Sequence, residues 1–117
     1  MRKRNKYNAR KTNCNQLHWH DSKKEAERCN ELYLIKQAGE IEKLQIQPEI
    51  EILHEFIYQG RKIRGITYRP DFTYYDKKKK CFIIEDVKGY IGIGVYNLKK
   101  KMLLNKIKDS NIEFIET

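Results

Sequence analysis

The sequence predicts an α/β fold, a single domain in which a mixed β-sheet is flanked by helices. Three observations lead there. Residues 22–38 carry a capped helix with one mostly apolar face. Residues 44–86 hold short runs of alternating apolar and polar residues, separated by turn signals. A second helical segment then precedes a last apolar run, "IEFIE". Antiparallel strands followed by a crossover helix and a further strand imply a mixed sheet with helices packed against it.

Residues 1–15, "MRKRNKYNARKTNCN", are basic and polar without periodicity. They read as a flexible basic arm, either solvated or lying along phosphates. The folded domain is then expected over residues 16–117. Ser22-x-x-Glu25 is a capping-box pattern. Ala26, Cys29, Leu32 (or Tyr33) and Lys36 follow at helical spacing, and Gly39 supplies the stop. Trp19 stands where an apolar residue would staple the helix entrance.

Leu44 and Ile46 alternate with glutamines, and Ile50, Ile52 and Ile63 with other polar residues. Gln59-Gly60-Arg61 marks a turn, and Pro48 an edge or a break. Tyr68 to Tyr75 reads as one strand carrying Asp71. "DKKKK" is a solvated turn, and "CFIIEDVK" the antiparallel partner strand. "GYIGIGVYN" reads as a mobile glycine loop, and its spacing is not the dinucleotide fingerprint. "NLKKKMLLNKIK" is the second helix. Leu98, Met102 (or Leu103) and Ile107 should face the core, with Lys99, Lys100 and Lys101 outside.

The 117 residues suffice for one hydrophobic core. A hydrophobic share of 39 % suits a globule rather than a disordered chain. The formal charge of +9 concerns partners rather than fold, and nucleic acid is the leading one. No basic amphipathic helix with an aromatic face suggests a membrane surface. No apolar run approaches a spanning length and no signal-peptide core opens the chain, so a cytoplasmic location is expected. Three scattered cysteines argue against a disulfide framework. The order C-x3-H-x-H-x8-C over Cys14, His18, His20 and Cys29 matches no standard zinc spacing. Cys29 and Cys81 therefore read as small buried apolar residues.

One stretch resists a purely structural account: "PDFTYYDKKKKCFIIEDVK", residues 70–88. Carboxylates are poor strand formers, and burying one unpaired is costly. Strand alternation puts Asp86 and Lys88 on one side and Glu85 on the other. Asp71 on the partner strand can come beside Asp86. Two close carboxylates repel unless a cation lies between them. Hard oxygen donors suit Mg²⁺ or Mn²⁺. A neighbouring lysine can hold an attacking water or neutralise a phosphate oxygen, as phosphodiester hydrolysis requires.

Pro70-Asp71, 14 intervening residues, then Asp86-x-Lys88 resembles the signature of the PD-(D/E)xK nuclease superfamily. Ser22-Lys23-Lys24-Glu25-Ala26 resembles the first helix of its small members. "KYNARKT", "AGEIEKLQIQPEIEI" and "ITYRPDFTYYD" extend the likeness over nearly the whole chain, to a family of small phage-encoded proteins read as endonucleases. The resemblance implies a restriction-endonuclease-like fold, with residues 16–117 as the nuclease domain. It implies metal-dependent cleavage of DNA to 5′-phosphate and 3′-hydroxyl ends. Asp71 and Asp86 would bind Mg²⁺ (or Mn²⁺) with the Val87 carbonyl, and Glu25 directly or through water. Lys88 would orient the water, with Gln47 as a polar auxiliary.

DNA contacts would come from Arg2, Lys3 and Arg4, from Arg61, Lys62 and Arg64, and from Lys99, Lys100 and Lys101. Tyr90 and Tyr96 would stack on bases or pack in the core. A domain this small has no room for a separate sequence-reading module. Branched DNA or four-way junctions are thus the expected substrates, and a symmetric substrate favours a homodimer. The alternatives are a non-catalytic nucleic-acid-binding module that retains the fold and, more distantly, an RNase.

Overall fold

The computed structural model describes residues 11–16, 18–20, 22–87 and 94–117. The expected contacts Arg2, Lys3 and Arg4 lie outside the described residues, as do Lys88, Tyr90 and residues 89–93 of the glycine loop. The elements in order are β1 (Thr12–Asn13), β2 (Trp19–His20), α1 (Lys23–Gln37), β3 (Ile41–Ile46), β4 (Ile50–Leu53) and β5 (Phe56–Tyr58). Then come β6 (Arg61–Ile63), β7 (Ile66–Tyr68), β8 (Phe72–Asp76), β9 (Cys81–Asp86), α2 (Gly94–Ile107) and β10 (Ile112–Glu116).

The main sheet has the order β10-β9-β8-β3. Strand β8 runs antiparallel to both β3 and β9, whereas β10 lies parallel to β9 after the α2 crossover. The chain is thus one small α/β domain with mixed strand directions and two helices. Each helix serves one face of the sheet. Ala26, Cys29 and Leu32 of α1 pack with Phe72, Tyr74 and Ile83. Leu103 and Ile107 of α2 pack with Tyr68 and Ile84 on the other side. Adjacent residues Ile83 and Ile84 therefore enter opposite cores, as strand alternation demands.

Helix α1 starts and stops where the sequence indicates. The Ser22 hydroxyl accepts from the Glu25 N–H at 3.1 Å, and Gly39 follows the end with φ +79°. The capping box is not reciprocal, because the Glu25 carboxylate is engaged elsewhere. Four expectations need correction. Residues 12–15 belong to the folded body: Thr12 and Asn13 pair with β2, Cys14 is buried, and the Asn15 N–H donates to Asn30. Trp19 does not plug the helix entrance; it is 56 % exposed, and strand alternation turns His20 into the core instead. Helix α2 begins at Gly94, within the expected loop, and Leu98 is exposed while Leu103 fills the core. The strand expected over Tyr68–Tyr75 is interrupted at residues 69–71.

That interruption organises the molecule. Strands β3, β4 and β5 pair in turn with β8, β7 and β6, as one long antiparallel ribbon broken into three pieces. Its tip is Gln59-Gly60, both with positive φ, the backbone of a two-residue type I′ turn. The break between the β3/β8 and β4/β7 pieces falls at both of the chain's prolines, Pro48 and Pro70. Proline has no N–H for the ladder, so regular pairing stops there.

On the α1 face, Glu85 is wholly buried and its charge is met by Arg28. The guanidinium donates through Nε to Oε2 and through Nη2 to Oε1, the latter at 3.0 Å. Tyr74 donates to Oε1 at 2.7 Å, and Thr117 to Oε2 at 3.1 Å. Removing one partner of a buried pair leaves an uncompensated charge. Arg28→Met is therefore expected to cost about 3 kcal/mol in equilibrium urea unfolding. Arg28→Met with Glu85→Gln should recover more than half of that loss.

Candidate functional site

The site lies where the ribbon breaks and β9 ends. Gln47 has φ +49°, and its N–H donates to the Asp71 carbonyl at 2.9 Å. This one bond spans the break. It leaves the Gln47 and Asp71 side chains directed away from the regular pleat. Residue pairing at the start of β8 is Phe72 with Glu85, so the next step brings Asp71 to Asp86.

The two aspartates are tied together by crossed bonds. The Asp71 N–H donates to Asp86 Oδ1 at 3.1 Å, and the Val87 N–H donates to Asp71 Oδ2 at 2.7 Å. Each carboxylate thus accepts from backbone next to the other. The Tyr68 hydroxyl donates to Asp86 Oδ2. Glu85 faces the opposite side, against Arg28, as expected.

Glu25 joins from α1. It is 4 % exposed, and its Oε1 accepts from Gln47 Nε2 at 2.9 Å. His20 Nδ1 lies 2.9 Å from the same oxygen. Glu25, Gln47, Asp71 and Asp86 are therefore connected through contacts at the ribbon's break.

Electrostatics mark Asp86. Burial pushes its carboxyl up to about 6 from the ordinary 3.8. The Asp71 N–H and the Tyr96 hydroxyl pull the other way, while the charges of Glu116 and Glu25 add to the rise. Negative charge thus accumulates around a half-buried carboxylate. The carboxylates of this region are those of Asp71, Asp86 and Glu25, linked through Gln47 and the backbone.

Tyr68, Tyr96 and Glu116 are parts of this region that the motif did not flag. The Tyr96 hydroxyl donates to Glu116 at 2.8 Å, and its ring packs near Tyr68. Burial and Glu116 hold the Tyr96 phenol well above its ordinary value. Tyr96 therefore serves the core side of its two expected roles. Tyr68, two residues before Pro70, was legible only as a strand residue. An apolar cavity of about 460 Å³ between α2 and the sheet includes Ile50, Phe82, Ile84 and Ile112 but none of the four site residues.

The expected basic contacts divide. Arg61, Lys62 and Arg64 are exposed on the β5–β6 ribbon, beside exposed Ile57 and Tyr58, with Lys62 3.2 Å from Glu55. Lys101 is exposed and Lys99 half-buried. Lys100 differs from expectation: it is half-buried, pairs with Glu116 and lies 5.6 Å from the centre of the Phe114 ring. No helix among the described residues is long and apolar enough to cross a membrane.

Fold and site together define a small α/β domain with an acidic cluster at the break in its sheet. The chain belongs to the family described as Protein of unknown function (DUF1064), whose model matches residues 4–117. No curated protein and no solved structure matches the chain.

The strain at Asp86 has a measurable consequence. Its folded-state value lies above the unfolded one, so the ionised form is disfavoured in the folded protein. Stability is lost as pH rises from about 4 to 6 and stays lost above that. In EDTA at pH 8, Asp86→Asn should raise Tm by a few degrees, about 1 kcal/mol after allowance for loosened hydrogen bonds. Adding Mg²⁺ should raise the Tm of the parent chain more than that of the variant.

Proposed function

We propose that this protein is a metal-dependent DNA endonuclease with a restriction-endonuclease-like fold, hydrolysing phosphodiester bonds in branched DNA or four-way junctions. The observation that carries the proposal is the crossed hydrogen bonding of Asp71 and Asp86 beside Glu25 and Gln47. Asp86 at the end of β9 and Asp71 just before β8, with a helical glutamate near the same break, would supply hard donors. A Mg²⁺ or Mn²⁺ ion bound there would polarise the phosphate and lower the pKa of a water.

The chain's own groups supply the rest. The Asp71 and Asp86 carboxylates are held in fixed orientation by backbone N–H groups, so little reorganisation precedes reaction. Glu25 Oε1 is occupied by His20 and Gln47, which leaves Oε2 for the cation or its water. By the resemblance, Lys88 would hold the attacking water and neutralise charge on the phosphate. Val87 contributes a backbone carbonyl.

The basic ribbon tip supports a nucleic-acid partner. Arg61 and Arg64 are exposed on an antiparallel ribbon that carries exposed Tyr58, a pairing of charge and aromatic surface suited to phosphates and bases. A homodimer would match the symmetry of a four-way junction. A nuclease of this kind would work in the cytoplasm, that of the host bacterium for a phage-encoded chain.

The purified protein should cut four-way or flapped DNA with Mg²⁺ or Mn²⁺ and stop with EDTA. Asp71→Ala, Asp86→Ala and Lys88→Ala should each lower the single-turnover rate by about 100-fold or more, with DNA binding kept. Binding without cleavage on linear, flapped, forked and four-way DNA would instead identify a non-catalytic module. Preferential cutting of matched RNA would make it an RNase.

Phosphate contacts by the ribbon have their own readout. Arg61→Ala with Arg64→Ala should reduce the slope of log K against log salt by about 2. An unchanged slope would remove the ribbon from the interface.

A further inference from the structure

We propose that Cys14, His18, His20 and Cys29 form a structural Zn²⁺ site that clamps the N-terminal hairpin to helix α1. The four ligand atoms lie within 4.8 Å of one another, and three of the four residues are buried. A Zn²⁺ tetrahedron with two sulfurs and two nitrogens has edges of about 3.3–3.8 Å, from bond lengths near 2.3 and 2.0 Å. Cys29 Sγ and His18 Nδ1 already stand 3.7 Å apart. Small side-chain adjustments complete the set. Two thiolates with two imidazoles in a tetrahedral arrangement select zinc among the common divalent ions.

An independent observation points to the same ligand. His20 is 1 % exposed, and its Nε2 is buried with no hydrogen-bond partner among the described residues. A buried ring nitrogen without a partner is costly and calls for an explanation. Glu25 occupies Nδ1 at 2.9 Å, so Nε2 is the atom left to ligate. That is the carboxylate–histidine–metal arrangement in which a carboxylate fixes the tautomer of a ligating imidazole.

The local fold gives such a clamp a place to act. Strands β1 and β2 have two residues each and, among the described residues, pair with one another alone. So short a ladder contributes little by itself, and the hairpin is held by its packing on α1 through buried Cys14 and His20. Cys14 and His18 flank its turn, and the Cys14 N–H donates to the His18 carbonyl at 3.1 Å. His20 lies on the return strand, and Cys29 comes two turns into α1. Zinc binding would supply folding free energy to this corner.

The site is independent of the nuclease proposal, so its test does not use DNA cleavage. Reduced, metal-supplemented wild-type protein should contain one Zn²⁺ per chain after dialysis, measured by atomic emission. Co²⁺ replacing it should give the intense visible bands of tetrahedral cobalt and a thiolate charge-transfer band. Cys29→Ser and His18→Asn should each weaken Zn²⁺ binding at least 10-fold. His18 is half-exposed, so its variant tests the site even where a cysteine variant fails to fold. Reduced wild-type protein without stoichiometric zinc or the tetrahedral cobalt spectrum would overturn the site. So would full zinc retention by His18→Asn and Cys29→Ser, or a Cys14–Cys29 disulfide with no metal binding after its reduction.

Discussion

The buried charge pair between Arg28 and Glu85 determines where the remaining parts lie. Glu85 sits on an inner strand with no exposed surface, so its oxygens rely on Arg28, Tyr74 and Thr117 for hydrogen bonds. Arg28 must therefore stay on one spot of the sheet, and helix α1 with it. Glu25 lies three residues earlier, on the same side of the helix one turn back. Docking one residue thus places the other beside His20 and Gln47 at the ribbon's break. Asp86, adjacent to Glu85, projects to the opposite side of their strand, so one dipeptide serves both purposes. Glu85 anchors the helix, and Asp86 joins the acidic site.

Two prolines contribute the second constraint. A regular ladder through residues 46–49 and 69–72 would turn alternate side chains up and down in register. Pro48 and Pro70 prevent that, and positive φ at Gln47 redirects the chain. Gln47 and Asp71 remain joined through one backbone bond while their side chains turn to Glu25 and to the Val87 amide. The break therefore concentrates donors and acceptors that a continuous ribbon would spread over two faces. The raised Asp86 value records chiefly its burial at this break, with the charges of Glu116 and Glu25 adding to it.

Much of this was legible in the residues, for identifiable reasons. Helix α1 was readable because its cap, apolar spacing and terminal glycine agree. The neighbouring positions of Asp71 and Asp86 followed from strand period and a short lysine-rich turn. What escaped depends on contacts between distant segments. Leu98 has an apolar side chain at helical spacing yet stays exposed, whereas Leu103, read as the alternative to Met102, and Ile107 enter the core. Trp19 and His20 differ by one strand position, and polarity alone favoured the wrong one for burial. The spacing of Cys14, His18, His20 and Cys29 is uninformative because a hairpin, not a knuckle, folds the first three together. Only the docking of α1 then returns Cys29 to them.

His20 joins the two halves of the molecule. One ring nitrogen faces the cysteine–histidine cluster and the other faces Glu25, which also receives Gln47. A cation at Nε2 would require Nδ1 to carry the proton and donate to Glu25 Oε1. Both bonds to Glu25 would then fall on one oxygen in a fixed direction, and the second oxygen would turn consistently toward the aspartates. Without that cation, either tautomer or the protonated ring is open to His20, and the carboxylate's orientation is less determined. The N-terminal hairpin would thus act on the acidic site through a single imidazole, by restricting what Glu25 can do rather than by adding a ligand of its own.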